Sequence, residues 1–104
     1  MASVHWTLGV RQELGTLIVQ LGRYSSTYAA SFAGRVLASV ERLESFPRLG
    51  RVVPEYELET VHELLIDSYR LIYLVELDEV EILALVHASQ DLVTRLGDDP
   101  LSRR

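Results

Sequence analysis

Along the first half of the chain, Val10, Leu14, Leu17, Ile18 and Leu21 recur at the spacing of one helical face. Gly22 then acts as a stop signal. Ser25, Ser26 and Thr27 offer hydroxyls that can accept from the unpaired N–H groups of a new helix. Ala29, Phe32, Ala33, Val36, Val40 and Leu43 trace its apolar stripe, with Arg35, Glu41, Arg42 and Glu44 mostly between them. This second helix is predicted to end at Phe46, because Pro47 disfavours the α conformation in the residue before it. The short polar link predicts an antiparallel pair. Ahead of both, the run Val4-His5-Trp6-Thr7-Leu8 reads as a first strand.

The second half changes period. Residues 47–59, punctuated by Pro47, Gly50 and Pro54, read as a loop or irregular edge. Val61 to Ile66, Tyr69 to Leu77 and Val80 to His87 are rich in Val, Ile, Leu and Tyr, and are separated by Asp67-Ser68 and Asp78-Glu79. Such short separations predict tight hairpins and a three-stranded antiparallel meander. The fold class is therefore α+β, with two antiparallel helices packed on one face of a twisted antiparallel sheet.

Alternation places Tyr69, Leu71, Tyr73, Val75 and Leu77 toward the helices, with Val80, Ile82, Ala84 and Val86 beside them. Counting from the two turns sets Leu77 against Val80, Arg70 against His87, and Leu65 against Arg70. Glu63 then shares the open face with Arg70, and His62 lies opposite Tyr73 on the core face. A one-residue slip would invert these faces. The open face also carries Ile72, Leu74, Leu83 and Leu85, a patch too apolar to leave wet. A segment of a partner protein, a second copy, the first strand or the C-terminal tail could cover it. Residues 89–96 suggest a last helical turn stopped at Gly97. One domain over residues 1–96, followed by a frayed tail at 97–104, is the expected organisation.

Composition narrows the chemistry. Without cysteine there is no disulfide framework, no Cys-based zinc site and no thiol nucleophile. No apolar run reaches the ~18–20 residues of a membrane span, and Met1 to His5 lack the features of a secretory signal. A cytoplasmic protein with no membrane association is expected. Fifteen acidic residues against ten arginines and no lysine give a net charge of −5. That balance argues against a sequence-independent nucleic-acid binder, which needs a basic footprint.

Four segments in order then resemble one family. Phe46-Pro47-Arg48-Leu49-Gly50-Arg51-Val52-Val53-Pro54-Glu55 resembles the P-x-x-G-R-x-x-P-E segment of the RelE/ParE toxin superfamily. Val61-His62-Glu63-Leu64 with Tyr69-Arg70-Leu71-Ile72-Tyr73 resembles its I-R-E-L and Y-R-I-I-Y strands. Val80 to His87 resembles its last strand. The resemblance takes in roughly Val4 to Leu92. It implies a β-α-α-β-β-β toxin of a bacterial type II toxin–antitoxin module, of plasmid-stabilisation type, inhibiting growth until a cognate antitoxin neutralises it. A homodimer and a toxin–antitoxin hetero-oligomer both fit. The target is either DNA gyrase, as in the ParE branch, or mRNA on the ribosome, as in RelE and YoeB.

For the YoeB-like branch the resemblance implies three catalytic residues, Glu55 as base, Arg70 as phosphate-binding cation and His87 as acid, the last about one position from the family's histidine. Arg48, Arg51 and Glu63 are the accompanying target-binding candidates. An arginine fork suits a phosphate, and histidine titrates near neutrality. No metal or other cofactor is implied. The plainer alternatives are a Glu55 pair with Arg51 or Arg48, an Arg70 that pairs with Glu63 or Glu76, and a His87 that caps the sheet. His62 and Gln90 stand where the family often has arginine, and a RelE-like site lacks its lysines and C-terminal tyrosine. The acidity favours a gyrase-directed ParE-type role over the endonuclease. A non-toxic, degenerate binding module is the third reading.

Overall fold

The computed structural model describes residues 1–103. The chain runs β1 (Ser3–Trp6), α1 (Leu8–Tyr24), α2 (Ser26–Ser45), β2 (Arg51–Val52), β3 (Val61–Ile66), β4 (Tyr69–Glu76), β5 (Glu79–His87) and α3 (Leu92–Leu96). A 3₁₀ turn follows at Pro100–Arg103. The strands form one sheet in the order β1-β5-β4-β3-β2. The meander is antiparallel as expected, and β1 joins its edge in parallel with β5. The result is an α+β fold.

Local chemistry explains the helix boundaries. Thr7 caps α1 by accepting from the Val10 N–H at 3.2 Å. Ser25 serves both helices. Its N–H closes α1 on the Leu21 carbonyl at 2.9 Å, and its hydroxyl opens α2 by accepting from the Tyr28 N–H at 3.1 Å. One residue thus ends one helix and starts the next, which forces the antiparallel turn. The second helix stops at Ser45, before Pro47, as predicted.

Apolar side chains fill both faces of the sheet. On the helix side, Val10, Phe32, Val36 and Leu43 pack on Leu71, Tyr73, Val75, Val80 and Ile82. On the other side, Val53, Val61, Ile72, Leu74, Leu83, Ala84 and Val86 pack with Leu92 and Leu96 of α3. The apolar open face is therefore covered by the chain's own C-terminal segment, joined by Tyr56 and Leu101. Residues 97–103 pack back onto the domain. Pro100 is buried, and Arg103 donates to the Leu83 carbonyl at 3.1 Å and to Glu13 at 2.7 Å. Arg104 lies outside the described residues.

Two register expectations need correction. The second hairpin turns at Leu77-Asp78, with Glu76 opposite Glu79, so Leu77 is not a core residue but 92% exposed. Further along, Tyr73 pairs with Ile82 and Ile72 with Ala84, so Leu83 is an extra, unpaired residue. Such a bulge shifts everything beyond it by one position. Ala84 and Val86 consequently face α3, and Leu85 and His87 turn to the helix side. Arg70 lies opposite Val86, and His87 opposite Tyr69.

Leu77 holds a φ of 52°. A β-carbon in that left-handed region is crowded by its own carbonyl, at a cost of roughly 1–2 kcal/mol, while the exposed side chain recovers little. Leu77→Gly is expected to raise stability by about 1 kcal/mol net of glycine's greater chain entropy, read as a higher midpoint in urea denaturation.

Candidate functional site

Gly50 is where the site begins. A β-carbon there would lie 2.2 Å from the Glu63 carbonyl oxygen, so only glycine lets β2 approach β3 so closely. Its N–H donates to the Tyr73 hydroxyl at 2.9 Å. That approach sets Arg51 directly across from Glu63. The chain then continues to the buried Val53, whose N–H meets the Val61 carbonyl at 3.0 Å. The N–H groups of Tyr56 and Glu57 fold back onto the Val53 carbonyl, and this turn carries Glu55 over the sheet.

Beneath it, Arg70 and Glu63 share the face away from the two long helices, as alternation predicts. The Glu63 side chain is fully buried and that of Arg70 nearly so, at 0% and 9% exposure. Arg70 Nε donates to Glu63 Oε1 at 2.5 Å, and Arg51 Nε donates to Glu63 Oε2 at 2.6 Å. The fork of Arg70 grips Glu55 with two parallel bonds, Nη1 to Oε2 at 2.7 Å and Nη2 to Oε1 at 2.8 Å. Four of the six candidate residues thus form one chain of charges: Arg51, Glu63, Arg70, Glu55. Arg48 is exposed and makes no ion pair among the described residues.

His87 is not part of this chain. The bulge at Leu83 puts it on the opposite face, edge-on to Tyr69 with ring centroids 5.1 Å apart. It lines a groove of about 820 Å³ beneath α1, with Gln12, Thr16 and Gln90. Its Nδ1 accepts from the Ser89 N–H at 3.1 Å. An amide N–H can only donate, so the proton of the neutral ring sits on Nε2. The expected cross-strand pair of Arg70 and His87 does not form, and the sheet lies between them.

Residues 4–92 match the family described as the ParE toxin of type II toxin–antitoxin systems, parDE. The chain belongs to the ParE toxin family. Among solved structures it is similar to the chromosomal ParDE toxin–antitoxin system from P. aeruginosa, with a TM-score of 0.68 and 19% identity over 84% of this chain and 96% of that one. At that identity the likeness speaks for the fold. Among curated proteins none matches.

In this ParE-family chain the charge network balances itself, two arginines against two glutamates. Glu55 is held below the ordinary carboxylate range, chiefly by its hydrogen bonds from Arg70. Arg70 is driven further into its charged form, first by Glu55 and then by Glu63. A carboxylate stabilised as the anion is a weaker proton acceptor. The guanidinium already gives Nε and one N–H of each Nη to carboxylates, which leaves two of its five N–H groups for a phosphate. The arrangement suits a tie that pins the 53–57 turn to β3 and β4. Tyr56 extends the tie by donating its hydroxyl to the Gly97 carbonyl at 2.7 Å. Nothing in the sequence pattern marked Tyr56 for this, since its partner is a backbone atom 41 residues away.

Arg70→Ala would leave Glu63 buried and half-paired, and such breaks cost about 3–5 kcal/mol. A loss of that size in chemical denaturation is expected. Acid adds a second check. Glu55 is more acidic folded than unfolded, so its contribution is complete above the ordinary carboxylate pKa and is lost as pH falls through the depressed folded value. Glu55→Gln should therefore flatten the acid limb of the stability–pH curve. An unchanged limb contradicts the tie.

Proposed function

We propose that this chain is the toxin of a type II toxin–antitoxin module, acting in the cytoplasm and neutralised by a cognate antitoxin. It arrests growth by protein contact with DNA gyrase and cuts no RNA. The observation that carries the reading is the state of the three nuclease candidates. Glu55 and Arg70 are bound to each other, and His87 is on the far side of the sheet. General acid–base cleavage of RNA needs base, cation and acid around one phosphate. Here the first two neutralise each other and the third cannot reach.

Charge supports the same choice. A net charge of −5 does not favour a ribosome-sized polyanion, whereas contact with a protein target makes no such demand. Arg48 and the half-free Arg51 then act as cations on the rim of the target-binding surface, and the contact requires no cofactor. No helix among the described residues is long and apolar enough to cross a membrane.

Induction of the chain alone is expected to stop bacterial growth, and co-expression with the adjacent small gene to restore it. Purified protein should inhibit gyrase supercoiling while transcripts in arrested cells stay intact. Cleaved transcripts with normal supercoiling would overturn the reading in favour of an mRNA endonuclease. Unimpaired growth with confirmed soluble expression would leave a non-toxic binding module.

A further inference from the structure

His62 is buried at 6% exposure on β3, and both of its ring nitrogens meet backbone carbonyl oxygens. Nδ1 lies 2.8 Å from the Gly50 carbonyl, and Nε2 lies 2.8 Å from the Glu59 carbonyl. A carbonyl oxygen has lone pairs and no proton, so it can only accept. Each nitrogen must therefore carry a hydrogen to bond as it does. Neutral imidazole has one N–H, and only the imidazolium has two.

We infer that His62 is held as the imidazolium and works as a pH-sensitive strap, fastening both ends of the loop that carries Glu55. Gly50 begins this loop and Glu59 closes it. When the proton leaves, one ring nitrogen presents a lone pair to a carbonyl lone pair, and that end of the loop is released. The imidazolium supplies a two-sided donation with a charge that can be removed. This inference concerns the fold and holds whichever target the toxin has.

The surroundings do not offer another partner for the ring. On β4, Tyr73 lies against it at a centroid distance of 5.7 Å, with its hydroxyl occupied by the Gly50 N–H. Burial raises the Tyr73 pKa, with the Gly50 hydrogen bond and the charge of Arg48 opposing. The neighbouring positions on β2 and β3, Arg51 and Glu63, are bonded to each other on the opposite face. Glu59 contributes its carbonyl and is itself an exposed residue. The last turns of α2, on the helix side, carry Glu41, Arg42 and Glu44. Among the described residues none of these charged side chains hydrogen-bonds the imidazole, whose two bonds go to backbone carbonyls.

The test is a ¹⁵N-histidine NMR titration of the full chain between about pH 5 and 8, with amide hydrogen exchange recorded in parallel. At the acid end both His62 nitrogens should show attached protons, while Nδ1 of His87 should show none once that ring is neutral. As His62 loses a proton, protection factors at Gly50, Val53 and Val61 should fall about tenfold, the scale of one lost hydrogen bond. Amides of β4 and β5 should be unmoved. A single proton on His62 throughout, or loop protection that ignores its titration, would overturn the inference. In His62→Gln the step should be absent, and a step that persists there would equally overturn it.

Discussion

A carboxylate cut off from water must be met by cations or not be ionised at all, and Glu63 is such a carboxylate. It sits inside the sheet with no exposed side-chain surface and receives one arginine on each oxygen. Burying one ion costs several kcal/mol unless geometry repays it. That requirement fixes where Arg51 and Arg70 must stand. It thereby brings β2 against β3, which Gly50 alone permits, and leaves the fork of Arg70 aimed at Glu55. The loop, the edge strand and the C-terminal segment, joined through Tyr56, are arranged around this one buried charge.

The same network changes the meaning of residues that chemistry singles out. Glutamate, arginine and histidine in this order look like the parts of a nuclease. In place, two of them form a salt bridge and the third faces α1. Residue types and spacing along a chain are compatible with either outcome.

Much of this was legible in the sequence, and the limits have physical causes. The helix pair could be read because its stripes, caps and Pro47 all agree. Leu65 beside Arg70, His62 opposite Tyr73, and Glu63 on the face of Arg70 followed from a turn at Asp67-Ser68, and the structure has them so. The second hairpin was less legible. Leu77 is apolar and has no turn character, yet it occupies the turn in a left-handed conformation. The bulge at Leu83 could not be seen either, since Ile82, Leu83, Ala84 and Leu85 are all apolar and alternation gives no signal there. One extra residue then moved His87 to the wrong face for a partner of Arg70. The docked C-terminal segment was only one of four candidate covers, because its apolar residues, Leu92, Leu96 and Leu101, are too few to set a period.

We propose that Glu55, Glu63 and Arg70 hold the fold together and do no chemistry. Replacing the three at once by neutral residues of similar size, Glu55→Gln, Glu63→Gln and Arg70→Met, removes the buried charges together and leaves only Arg51, whose side chain is 61% exposed and open to water. Growth arrest by this variant, with folding confirmed by calorimetry, is the direct measurement. The folded variant should still arrest growth. A variant that folds as well as the parent and has lost toxicity would contradict it.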